Sequence, residues 1–223
     1  WVFAAYMLAA TVMIPLWGKM ADLIGRRPAL FGGLSFFILG SALCGAAHSM
    51  PQLIAFRVVQ GLGAGALFPV GMTIAADLFT LQQRTKVIAM FSAMWGVASL
   101  VGPLAGGYLT EQISWRWVFY INLPFGLISA LLVGLTYRER YQRRGTITLD
   151  YAGMITLSMG VTLLLIVVQR AAAAEVLTTV AGSTAAAGLL AAFIVFEKRS
   201  TEPLIPLVLF HERLVTVATL QGM

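Results

Sequence analysis

"LIAFRVVQGLGAGALFPVGMTIAAD", residues 53–77, decides the fold class. It is a continuous apolar run rich in Ala, Leu and Gly, and it carries one arginine, Arg57, near its start. A helix needs about 20 mostly apolar residues to cross a hydrocarbon core about 30 Å thick. A closed barrel satisfies backbone groups in lipid too, but its strands alternate over segments of about 10 residues. This run is too long and too even for a strand. It reads as a membrane-crossing helix.

The same pattern recurs at 1–17, 29–47, 87–109, 117–136, 152–169 and 177–196, and another run opens near 206. With the run at 51–76, the expectation is an all-α polytopic membrane protein. Composition agrees: 59% of the 223 residues are hydrophobic and 11% charged, against about 45–50% and about 25% in soluble chains. The net charge of +6 would point to nucleic acid in a soluble protein. Here the charges sit in short connectors between apolar runs, so the expected partner is the lipid bilayer and not nucleic acid. Cys44 is the single cysteine, which excludes a disulfide framework and a cysteine metal cluster. No cofactor is expected. His48 and His211 lie at connectors and no nucleophile–base set is visible, so an enzyme is not expected. The chain opens and closes within apolar stretches and reads as an internal part of a longer membrane protein.

Charge placement sets the topology. Alternate connectors hold Lys19, Arg26, Arg27, Arg84, Lys86, Arg138, Arg140, Arg143, Arg144, Lys198, Arg199 and Arg213. The opposite set holds Arg116 and Arg170. The positive-inside rule places the first set in the cytoplasm. Loops at 18–28, 77–86, 137–151 and 197–205 are then inside, with His48 and the 110–116 turn outside.

Three further stretches carry detail. "GKMADLIGRRP", 18–28, gathers Gly18, Asp22, Gly25, Arg26 and Arg27 into what reads as a tight cytoplasmic turn. Its glycines permit close approach or positive φ, and Asp22 can accept from helix-start amides or pair with an arginine. An ordinary basic loop reads the same way. "GVASLVGPLAGG", 96–107, spaces Ala98, Gly102 and Gly106 by four residues on one face, as generic close packing also does. Pro103 removes an amide donor and invites a bend. In "SWRWVFYINLP", 114–124, Trp115 and Trp117 suit an interfacial belt with Arg116 among the headgroups.

These strings, in this order, resemble the major facilitator superfamily, and more narrowly its fourteen-helix drug:proton antiporter branch. Gly18, Ala21, Asp22, Gly25, Arg26 and Arg27 match the loop between its second and third helices; Met20 and Leu23 depart from it. "RVVQGLGAG" matches the fourth helix. "GPLAGG", with Gly102, Pro103, Gly106 and Gly107, matches the antiporter signature of the fifth, with Ala98 where Gly is usual. "SWRWVFYINLP" matches the junction of the fifth and sixth. The resemblance implies that 1–136 supplies the second to sixth helices of an N-terminal six-helix bundle. It makes 137–151 a cytoplasmic connector, 152–196 an extra transmembrane pair, and 197–223 a connector with the start of a C-terminal bundle. It further implies a conformational latch of Asp22, Arg26 and Asp77, and a monomer in the inner, cytoplasmic membrane that exports small hydrophobic or cationic drugs against protons. An exporter dedicated to one metabolite or siderophore, or another solute transporter of the superfamily, is the alternative.

Arg57 ties these readings together. As one helix, 51–76 is about 39 Å long, which places Arg57 about 4–5 Å below the outer boundary if the excess is shared equally. A snorkelling side chain reaches that boundary, so depth alone does not assign a role. Arg57, Gln60, Gly61 and Ala64 share one face by i, i+3, i+4, i+7 spacing. A polar pair beside close-packing residues points inward. The expected role is a fixed charge that organises water or tunes a proton-binding carboxylate, which the family resemblance places in the first helix.

Overall fold

The computed structural model describes residues 1–137, 139, 151–170 and 176–199. Eight helices follow in order: α1 (Val2–Ile24), α2 (Arg26–Gly45), α3 (Met50–Leu78), α4 (Leu81–Gln112), α5 (Trp117–Tyr120), α6 (Asn122–Thr136), α7 (Tyr151–Arg170) and α8 (Val176–Arg199). Among the described residues there is no strand. With α5 and α6 counted as one crossing, seven helices among the described residues are long and apolar enough to span a membrane. The chain is an all-α, multi-pass membrane protein. It forms two compact units, Trp1–Arg143 and Arg144–Met223.

In the first unit, α3 lies between α1 and α2. Glycine makes the approach close. A Cβ at Gly61 would stand 2.5 Å from the Tyr6 carbonyl oxygen, and one at Gly65 2.7 Å from that of Ala10. On the α2 side a Cβ at Gly40 would stand 2.4 Å from the backbone of Gln60. In lipid there is no hydrophobic drive between helices, so close van der Waals packing of this kind does the joining. The core between the three helices contains Trp17, Ala21, Ala29, Leu30, Leu34, Ala66 and Val70. Trp17 donates its indole N–H to the Leu62 carbonyl at 2.7 Å, which satisfies its polar tip.

Helix α2 is held at both ends by residues flanking α5 and α6. Glu139 accepts from the backbone amides of Arg26 and Arg27 at its start. Arg116 donates to the Ala47 carbonyl, 3.0 Å away, just past its end. A negative charge at the N-terminus and a positive one at the C-terminus both complement the helix dipole. Arg116 thus has a structural use at the end where the charge bias disfavours it.

In the second unit α7 and α8 pack as a pair. Leu190 fills the space over Gly160, Val167 that over Gly182, and Ala186, Phe193 and Glu197 are buried.

Two loops are shorter than the sequence implies. The stretch 18–28 is no extended turn: α1 runs through Gly18 to Ile24, and only Gly25, at φ 99°, breaks the chain before α2. A lone glycine inside a long apolar helix does not end it, and Gly18 meets nothing within 4 Å. The loop 77–86 also shrinks. Thr80 and Gln83 form a reciprocal capping box that starts α4 at Leu81, so Arg84 and Lys86 are helical. The "TLQQ" signature was available in the sequence. Arg138, Arg140, Arg143, Arg144, Arg213, the rest of the connector 137–151 apart from its described ends and Glu139, and the run near 206 lie outside the described residues.

Candidate functional site

The first cluster is built on Arg57. Its side chain is partly buried and its planar fork is used in several directions. Nε donates to the Val2 carbonyl at 3.1 Å and Nη1 to the Gln60 Oε1 at 2.7 Å. The guanidinium lies 4.0 Å from the centre of the Tyr6 ring and 5.8 Å from that of Phe119. Both are cation–π distances. Gln60 in turn donates through Nε2 to the Ser41 Oγ at 2.6 Å. Gln60 is 2% exposed, and Ser41 and Cys44 are fully buried. The Cys44 thiol points at Gln60 Oε1 from 3.9 Å.

The sequence brought Arg57 and Gln60 together, and the structure joins them directly. It also separates their neighbours. Gln60 faces α2, whereas Gly61, one residue on, faces α1. The face drawn from helical spacing is therefore the edge that lies in the cleft between α1 and α2. Tyr6, Ser41 and Phe119 were missed. None has a sequence signal of its own, because each comes from a different helix.

The second cluster lies at the Gly25 end. Arg26 Nη1 forms an ion pair with Asp77 Oδ2, joining the start of α2 to the end of α3. Arg27 donates to the Gly134 carbonyl at 2.7 Å and its guanidinium lies 5.9 Å from the Phe31 ring centre. Asp22 is in the last turn of α1, exposed. Glu139 closes over Gly25, where a Cβ would stand 2.7 Å from its carboxylate. Nearby Tyr137 is buried, and burial, then the Glu139 carboxylate, push its hydroxyl pKa up despite Arg26. Glu139 was missed; a glutamate among arginines in a connector looks like any solvated charge.

The third motif stands apart. Among the described residues α4 has no buried position, and Gly102, Gly106 and Gly107 face open space with nothing within 4 Å. The helix continues through Pro103. Close packing, read from the spacing of Ala98, Gly102 and Gly106, is not what these residues do within this unit, because no neighbour reaches that face.

Comparison with known proteins gives consistent matches. The family model described as Major Facilitator Superfamily matches residues 1–196. The multidrug transporter protein MdtP of Bacillus subtilis is 39% identical over 225 residues, covering 100% of this chain and 41% of that protein. Multidrug resistance protein 3 of the same organism is 38% identical over 221 residues, covering 98% of this chain and 43% of the relative. The Acurin A biosynthesis cluster MFS-type transporter of Aspergillus aculeatus is 35% identical over 229 residues, covering 99% and 41%. The chain thus spans less than half the length of these relatives.

Proposed function

Because this chain belongs to the major facilitator superfamily, we propose that it forms part of a proton-coupled exporter of hydrophobic or cationic drugs in the cytoplasmic membrane. The transporter is of the fourteen-helix kind, with 1–136 in its first bundle and 152–196 as the extra pair. Alternating access by rocking of two bundles around a midplane site is the general scheme for such folds.

The observation that carries this reading is Arg57. An ionised group inside a span is costly and usually serves a pathway. Here it is held by the Val2 carbonyl, a buried amide and two aromatic rings. Among the described residues its contacts are all uncharged, so its charge is available to a carboxylate elsewhere in the transporter. A positive neighbour favours the ionised form of such a group and so sets when it binds and releases its proton. Arg26 and Asp77, with Asp22 in the last turn of α1, act as the latch. An ion pair that joins two helices at one end biases a two-state equilibrium when it forms in only one state. The Gly102–Pro103–Gly106–Gly107 face of α4 serves the exchange motion.

The test is drug efflux driven by an imposed pH gradient in the full transporter. Arg57→Ala should lose proton-driven efflux. Arg57→Lys keeps the charge without the planar fork and should retain part of it. Parental efflux by Arg57→Ala at normal expression would mean the arginine only snorkels. The likeness to a biosynthesis-cluster transporter favours a second reading, export of one defined metabolite. A panel of unrelated drugs separates the two, since a dedicated exporter moves none of them.

A further inference from the structure

We propose that Ser41 is a positioning residue for Arg57, acting through the Gln60 amide. Glutamine is asymmetric. One end of its amide donates and the other accepts. Ser41 Oγ holds the donor end at 2.6 Å while the acceptor end receives Arg57 Nη1 at 2.7 Å. Turned the other way, Gln60 would present its NH₂ to a guanidinium that has only donors. Ser41 and Gln60 are buried, so water is not at hand to take either role. The backbones meet where this happens: the residue before Ser41 is Gly40, and Gln60 occupies the place of its Cβ. The hydroxyl is therefore delivered to Gln60 by a close backbone contact between α2 and α3.

The consequence concerns where the positive charge stands. The groups packed around it are Tyr6 on α1, Cys44 on α2 and the Phe119 ring on α5. None of these is a carboxylate. The Gln60 oxygen is the polar side-chain anchor of the guanidinium among the described residues. Arg57 selects the oxygen end of the amide and Ser41 holds the other end; without Ser41 the buried NH₂ has no acceptor, the Gln60 side chain swings away from its place, and the guanidinium settles elsewhere. A carboxylate that depended on that charge would then hold its proton to higher pH. This inference rests on the proposed role of Arg57 in proton coupling.

The experiment measures the pH midpoint of drug efflux by the full transporter in everted vesicles, for parent, Arg57→Ala, Ser41→Ala, Ser41→Thr, Gln60→Met and Ser41→Ala with Gln60→Met. A role in packing alone would lower the amount of transporter and its maximal rate but leave the midpoint in place. The expected result is a midpoint moved to higher pH in Ser41→Ala, in the direction of Arg57→Ala but by less. Efflux at the parental optimum should fall by up to about tenfold, the worth of one hydrogen bond. Ser41→Thr, which keeps the oxygen, should return the midpoint toward the parent. Because Ser41 acts through Gln60, the double variant should match Gln60→Met alone. If Ser41→Ala does not reach the membrane, Gln60→Met carries the same test and must move the midpoint at least as far. A parental midpoint in Ser41→Ala, or in its stand-in, beside a shifted Arg57→Ala overturns the positioning role and leaves the Arg57 reading standing. Additive shifts in the double variant also overturn it. A parental midpoint in Arg57→Ala sinks the reading beneath, and this inference with it.

Discussion

Helices α3 and α4 carry similar small-residue spacing and use it in opposite ways. On α3, Gly61 and Gly65 sink into the backbone of α1, and Gln60 fills the hollow at Gly40 of α2. On α4, a Cβ added at Gly102, Gly106 or Gly107 would meet nothing within 4 Å among the described residues, and large side chains such as Trp95, Leu100 and Leu104 are each at least 70% exposed. In water such a surface would be an association liability; in a bilayer it meets lipid or another helix. Small-residue spacing therefore permits close packing without causing it. What decides is whether a second helix brings its own small residues to the same height.

The largest expected effect tests this contrast directly. Gly40→Val should strongly destabilise the full transporter, since its Cβ would collide with backbone and not with a flexible tip. Overpacking costs roughly 1–3 kcal/mol and more where backbone must move. Gly106→Val should change stability by less than about 0.5 kcal/mol, as surface substitutions usually do. Thermal unfolding in detergent reads both. Equal losses would show that α4 has a partner outside the described residues, and the contrast would collapse.

A smaller effect is expected at Gly25. Its φ of 99° with ψ of 156° lies in a region essentially confined to glycine, costing an L-residue about 1–3 kcal/mol, and a Cβ would also press on Glu139. Gly25→Ala should lower the unfolding midpoint, and Glu139→Ala placed on top should recover part of the loss. Gly18→Ala, in open space inside α1, should leave stability unchanged or slightly raised, as alanine is the better helix former. A loss at Gly18 to match that at Gly25 would restore the wider turn read from the sequence.

The smallest effect on stability belongs to the Arg26–Asp77 pair. Its side chains are 34% and 36% exposed, and exposed pairs are worth about 0–1 kcal/mol. Asp77→Asn should barely move the unfolding midpoint yet reduce efflux, because the pair would bias a conformational equilibrium. Asp22→Asn should do the same. A change in stability without a change in efflux would make the pair an ordinary surface contact.

The sequence alone determined that the chain is helical and multi-pass, and the seven apolar runs it shows up to residue 196 match the seven long apolar helices among the described residues. Apolar length against bilayer thickness is a one-dimensional property, and each helix satisfies its own backbone. It also selected Arg57, Gln60, Gly61 and Gly65, because an ionised residue in an apolar run and small residues at fixed spacing show in a single strand of text. The ends of the helices were less legible. Gly18 looked like a turn because glycine permits one, yet one glycine does not outweigh a helix on either side; Thr80 and Gln83 gave a start signal that was there to be read. Only the tertiary structure decided who meets whom. Ser41 beneath Gln60, Tyr6 and Phe119 around Arg57, Glu139 on the amides of Arg26 and Arg27, and the empty face of Gly106 each depend on two or more helices reaching the same height. Spacing within one helix fixes which residues share a face. It does not fix which neighbour that face will find.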